Sequence, residues 1–315
     1  MKKLLKILGI IFSVIIILYL ISIPIMRKKY AVQEKVFFTP TPFVKDTLKK
    51  YIHNYKTFYL NKDSLRIVAD KFLSDKNEDS IKINNITLKR NFGSFLNNTK
   101  SEYYTFEPKN ADKIGIFWMG NGFNIFKLVN NLSELAKRDS AKIYVLNYNQ
   151  YGYSQGIANF KTQFQINQNF YKFINEKQKV DFTSGHSLGT VYATKLATDN
   201  KIPNLILLAP ASNLDDLVNY FKGQMPIFVK PYVNANELKK SEIAKVGKTS
   251  ENIKNYYGNL TLIHDTKDEN LPYYMSEKIL NNSPSKNKEL ITIKNGDHDS
   301  PYLKENWEKL IKKLQ

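Results

Sequence analysis

The chain has 315 residues, 42% hydrophobic and 24% charged, and no cysteine. That much apolar material supports one large core or two small ones, and the missing cysteines exclude thiolate nucleophiles, Cys-ligated zinc and disulfide staples. The net charge of +18 includes six basic and no acidic groups in the first thirty residues; the other 41 basic and 29 acidic side chains are dispersed without an arginine cluster. Such a distribution suits solubility and a membrane surface and argues against nucleic acid as a partner.

Residues 7–26 are uncharged and dominated by Ile and Leu, with Lys2, Lys3 and Lys6 before them and Arg27, Lys28 and Lys29 after. Twenty helical residues rise about 30 Å, the thickness of a hydrocarbon core, so residues 1–29 are expected to form a single-pass membrane anchor. A cleaved signal peptide is the alternative, but its apolar run is shorter and ends in a small-x-small site, whereas residues 21–26 are bulky apart from Ser22. Basic groups flank both ends almost equally, so the positive-inside count leaves the side of the catalytic domain open.

Residues 30–109 read as a connector and an N-terminal part of the soluble domain. They hold a Pro-punctuated stretch (Phe38-Thr39-Pro40-Thr41-Pro42), helical stretches over 44–55 and 64–74, and strand-like pieces over 81–89 and 103–106. From residue 110 the pattern becomes rhythmic. Apolar strands are expected over 114–118, 142–147, 180–184, 205–208, 260–264 and 290–293, and helices over 123–136, 157–176, 188–198, 272–281 and 301–314. Short continuous apolar strands separated by amphipathic helices require a mostly parallel sheet covered on both faces. Residues 211–257 form the one long excursion, read as a short helical cover within a catalytic core of residues 110–315.

The chemistry concentrates at Gly185-His186-Ser187-Leu188-Gly189, a G-x-S-x-G pattern between a strand and a helix. A serine in so tight a turn exposes its hydroxyl, and flanking glycines remove the Cβ atoms that would collide there. The Leu188 amide, at the helix start, is positioned to hold an oxyanion. A serine nucleophile needs a base, and the chain has four histidines. His53 precedes the sheet, His186 adjoins the serine and points away, and His264 ends a strand as a packing residue. His298, on the loop after the last strand, is the candidate base. Asp268, several residues beyond the strand ending at His264, is the candidate acid, with Asp265 as its alternative. The second oxyanion donor is expected at the Asn121 amide, in the loop Met119-Gly120-Asn121-Gly122.

Through these motifs the part from Lys113 onward resembles the α/β-hydrolases, in particular the serine aminopeptidase-like group and its membrane-tethered bacterial members. The residues carrying the likeness are Gly120-Asn121-Gly122, Tyr151-Gly152-Tyr153-Ser154-Gln155-Gly156, the elbow, His264 with Asp268 and Pro272, and Gly296-Asp297-His298. Met119 stands where that family usually has histidine, Asn147 and Asn149 where it has an acid and an arginine, and Asp265 where glycine is common. The resemblance implies an α/β-hydrolase fold and a serine esterase, lipase or thioesterase. Its substrate would be a small molecule, a lipid or an acylated protein, with no cofactor, and the oligomeric state stays open. A serine peptidase, a non-catalytic binding protein on the same fold, and a metal site built from Asp265, Asp268, Asp297, His298 and Asp299 are the rivals.

Overall fold

The computed structural model describes residues 2–29, 34–41, 79–83 and 85–314. The helical stretches expected over 44–55 and 64–74, and His53 with them, lie outside the described residues. Helix α1 (Lys2–Lys29) runs unbroken through Pro24, and no residue of its apolar window Ile11–Lys28 is buried. By length and composition it is the one helix among the described residues able to cross a membrane.

Nine strands form one sheet: β1 (Ser80–Ile83), β2 (Ile86–Ser94), β3 (Lys100–Pro108), β4 (Lys113–Trp118), β5 (Ala141–Leu146), β6 (Phe182–His186), β7 (Asn204–Leu208), β8 (Asn259–Asp265) and β9 (Lys288–Ile293). Their spatial order is β1-β2-β3-β5-β4-β6-β7-β8-β9. The sheet is mixed: β1, β2 and β3 pair antiparallel with their neighbours, and every pairing from β5 to β9 is parallel. The piece expected over 81–89 is two strands, because the chain reverses at Asn85, whose φ of 67° closes a hairpin. Asparagine tolerates that left-handed backbone better than other non-glycine residues.

Side chains along the central strands alternate between two buried faces, as strand geometry demands. Ile114, Ile116 and Trp118 of β4 enter one cluster with Tyr144, Leu146, Leu205 and Leu207, and Phe117 enters the other with Ile143, Val145 and Phe182. Helix α2 (Ile125–Arg138) covers the Phe117 face, burying Ile125, Leu128, Val129, Leu132 and Leu135 at helical spacing; its N-cap Asn124 accepts from the Lys127 amide. C-terminal α10 (Lys304–Leu314) lies on that face through Trp307, Leu310 and Ile311. The opposite face carries α3 (Phe160–Asn175), α4 (Leu188–Asn200) and α9 (Tyr274–Asn282). Each large side chain so buried stabilises the fold by about 1.5–3 kcal/mol.

The chain leaves β4 toward β5 on one side and later adds β6 on the other, so the loops after β4 and β6 diverge at a switch point, where open α/β sheets form crevices. Trp118 and Gly185 are in register across β4 and β6, so both loops begin at one level. Above this edge, residues 209–258 form α5 (Leu214–Gln224), α6 (Asn236–Lys240), α7 (Glu242–Val246) and α8 (Thr249–Asn252). Within the expected helical cover, α6 and α7 are separated at Ser241.

Candidate active site

Ser187 joins β6 to α4 with φ 51° and ψ −117°, a backbone state that L-residues avoid and that holds about 1–3 kcal/mol of strain. Its amide donates to Leu208 O (3.0 Å), and its carbonyl accepts from the Thr190 amide and hydroxyl, which pins the turn. Both glycines are sterically required. A Cβ on Gly185 would stand 2.4 Å from the Gly189 carbonyl, and one on Gly189 would stand 2.1 Å from Trp118 O. The second contact is the more informative, because it lets the first turn of α4 press against the end of β4, beside the loop carrying Asn121.

Asp268 is buried on the loop after β8. Its Oδ1 accepts from the amides of Asn270 and Leu271 (2.8 Å each), and its Oδ2 accepts from His298 Nδ1 at 2.6 Å. Burial alone would raise its pKa, but hydrogen bonds from His264 and His298, with the Leu271 amide, outweigh it and hold the carboxyl well below the usual range. The carboxylate therefore fixes the His298 proton on Nδ1 and leaves Nε2 as the acceptor nitrogen of the neutral ring.

The elbow, the end of β8 and helix α2 each tether the loop bearing His298. His186 Nε2 donates to His298 O (3.1 Å), Asp265 Oδ2 accepts from the Gly296 amide (2.9 Å), and Lys127 Nζ pairs with Asp299 (2.8 Å). Asp265 also accepts from the Lys267 amide, so it shapes its turn and links two loops. His186 is fully buried and stands outside the cavity lining, its ring 4.8 Å from that of His298. Burial first, and the neighbouring His298 second, push its pKa well down, so it is a neutral support.

Ser187, Leu188, Asn121 and His298 together line one cavity of about 520 Å³. Among the described residues no hydrogen bond joins Ser187 Oγ to His298, and neither the Leu188 nor the Asn121 amide has an acceptor. The walls are apolar, with Leu217, Val218, Phe221, Met225, Leu238 and Ile243 supplied by the cover. Asp268 stands behind His298, out of the cavity lining. Among the described residues no three His, Asp or Glu side chains converge as a metal site would need, so the alternative acidic grouping is not assembled.

Two features were not legible in the sequence. Buried His264 presents Nε2 to Asp268 Oδ2 (3.1 Å) and Leu271 O (2.8 Å), both acceptors, which requires the proton on Nε2; Nδ1 meets the Ser276 hydroxyl at 2.7 Å. The Asn121 side chain accepts from the Thr39 amide (2.6 Å) and the Tyr151 hydroxyl (2.7 Å), so the stretch following α1 orients the loop carrying Asn121, and Phe37 reaches the cavity wall. The only available signal was His264 at a strand end, four residues before Asp268. Of the family departures, Met119 is fully buried in the Phe117-face cluster, and the Asn147 amide donates to buried Glu102.

No protein-family model matches the chain, and no curated protein matches it. Solved structures match its fold. An esterase from Pyrococcus furiosus aligns with TM-score 0.59 at 12% identity, over 90% of this chain and 97% of that one. Est1E from Butyrivibrio proteoclasticus gives 0.55 at 15% (71% and 95%), and a monoacylglycerol lipase from Paleococcus ferrophilus gives 0.54 at 16% (68% and 98%). The fold is that of the α/β-hydrolases. The narrower resemblance, to the serine aminopeptidase-like group and its membrane-tethered members, is corrected: the matching structures include ones named as an esterase and as a monoacylglycerol lipase. The motifs behind it reflect the physical demands of the elbow and acid loop, which are shared across the fold and do not discriminate between its groups.

Backbone strain at Ser187 predicts that Ser187→Gly unfolds at higher denaturant than Ser187→Ala, by about 1 kcal/mol, because glycine alone relaxes at this φ. Chemical denaturation of the two variants checks it. The depressed pKa of His186 gives a second prediction. Below about pH 6.5 the unfolded chain binds a proton that the folded chain resists, so stability falls as pH drops. Thermal unfolding from pH 7 to 5 should show this decline, and His186→Gln should flatten it.

Proposed function

We propose that this chain is a membrane-anchored serine hydrolase that cleaves a carboxylic ester or thioester. The observation that carries the reading is the 2.6 Å bond from His298 Nδ1 to buried Asp268, with the other face of His298 on the same cavity as Ser187. Substrate binding brings Ser187 Oγ within reach of His298 Nε2, since catalytic hydrogen bonds often tighten only in the complex. Ser187 attacks the acyl carbonyl carbon and its proton passes to Nε2. The carbonyl oxygen takes the negative charge and is held by the amides of Leu188 and Asn121, each such donor lowering the barrier by about 3–4 kcal/mol. Collapse expels the alcohol or thiol, which takes the proton from His298. Water then attacks the acyl-enzyme as His298 accepts its proton; the bond to Ser187 Oγ breaks, His298 returns the proton to Oγ, and the carboxylic acid leaves.

The apolar walls favour a lipid or otherwise acylated substrate over a polar one. The esterase and lipase names of the fold relatives support a hydrolase in general terms. On this reading α1 is a single-pass anchor, residues 110–315 are the catalytic core, and residues 211–257 are its cover.

Hydrolysis of a panel of p-nitrophenyl esters and acyl thioesters tests the proposal. Ser187→Ala, folded by circular dichroism, should lose turnover, and its full retention would overturn the serine mechanism. Asp268→Asn should lower kcat by about 10³–10⁴-fold through loss of the correct His298 tautomer. Asp265→Asn keeps one acceptor for the Gly296 amide and should cost far less; a reversed ranking would move the acid to Asp265.

A further inference from the structure

The cover does not stop at the cavity. Its segment 225–234 runs along the membrane helix, and the contacts climb in order. The Tyr19 hydroxyl donates to Phe228 O (2.8 Å), the Ser22 and Tyr232 hydroxyls meet at 2.6 Å, the Tyr19 and Tyr232 rings pack edge-on at 5.7 Å, and Asn234 Nδ2 donates to Arg27 O (2.9 Å). The apolar run of α1 ends at Met26, before Arg27-Lys28-Lys29. Tyr19 is seven residues earlier, roughly 10 Å along the helix axis. If Arg27 marks the headgroup level, Phe228 is held well below it.

The chemistry of the segment matches that depth. From Gly223 to Val229 there is no charged residue, and Lys222 and Lys230 flank the stretch. Ile227 is 82% exposed and Phe228 62%, and Phe221 is exposed one turn away. Backbone groups buried in hydrocarbon must find partners within the protein. Here Pro226 has no amide proton, its carbonyl accepts from the Val229 and Lys230 amides, Val229 O accepts from the Tyr232 amide, and Phe228 O is taken by Tyr19. Flanking lysines extend toward the interface and favour anionic headgroups. Phe221, Met225 and Val233, at the edges of this segment, also line the cavity containing Ser187.

We infer that residues 225–232 are sunk into the lipid leaflet against α1 and open the cavity to it, so that the acyl chain of a membrane-resident ester reaches Ser187 directly from the bilayer. This rests on the reading of α1 as a membrane span and of the cavity as a hydrolase site. It adds a second membrane element and a route of entry.

The cysteine-free sequence makes site-directed spin labelling unambiguous. Full-length Ile227→Cys, Ile15→Cys in mid-α1 and Lys179→Cys on the exposed surface would each be labelled and reconstituted in vesicles of equal phosphatidylcholine and phosphatidylglycerol. Power saturation by oxygen and by a water-soluble nickel chelate then reads depth. The inference predicts a lipid-like label at Ile227 and Ile15 and a water-like one at Lys179. A water-like label at Ile227 with a lipid-like one at Ile15 overturns the inference and leaves the anchor standing; water-like labels at both overturn the anchor as well. Entry is tested by Ile227→Asn/Phe228→Asn, which should lower hydrolysis of a long-chain ester resident in those vesicles by about tenfold relative to that of a short water-soluble ester. An unchanged ratio overturns the route, and loss of the short-ester activity in wild type would instead indict the hydrolase reading.

Discussion

The close approach of α4 to the end of β4 is the constraint on which the site depends. Because Gly189 has no side chain, the helix start can press against the carbonyls of Trp118 and Met119. That contact brings the start of α4 to the end of β4, and Leu188 and Asn121 line one cavity there. Ser187 takes the strained conformation as a result. Hydroxyl exposure and the paired amides are thus two outcomes of one packing event. The cores on both faces of the sheet supply the stability that offsets the strain.

Around this turn the proton-handling groups form a cross-braced set. Asp268 accepts from two backbone amides and two imidazoles, which keeps it anionic despite burial. The His298 loop is tied to the elbow through His186, to the acid loop through Asp265 and to α2 through Lys127. Three segments distant in the chain therefore hold one imidazole in place, whereas no hydrogen bond among the described residues joins Ser187 Oγ to it. This distribution suits acyl transfer, in which the base must be oriented beforehand while the nucleophile must move from hydroxyl to ester oxygen.

From β4 onward most elements were legible because β4, β5 and β7 are short apolar runs buried on both faces and helices such as α2 and α3 carry a 3.6-residue stripe; the ends shifted by only a few residues, as with α2 beginning at Ile125 behind its Asn124 cap. Gly185, Ser187 and Gly189 were legible because steric need leaves a local sequence pattern. The antiparallel part was harder. β1 lies at the sheet edge with alternate residues exposed, and the turn at Asn85 interrupted what looked like one strand. His264 beneath Asp268, and Thr39 on Asn121, are contacts between separate segments; no periodicity encodes them. The long apolar helix α1 was visible in composition alone, whereas its packing on Phe228 and Tyr232 was not.

The central claim is that Ser187, His298, Asp268 and the amides of Leu188 and Asn121 act as one acyl-transfer site. A crystal structure of the protein after reaction with an alkyl fluorophosphonate tests it most directly. The account predicts phosphorus bonded to Ser187 Oγ, the phosphoryl oxygen accepting from both amides, His298 Nε2 within hydrogen-bond reach of the adduct, and the alkyl chain among Leu217, Val218 and Met225. Phosphorus on another residue, or a phosphoryl oxygen turned away from both amides, would contradict it.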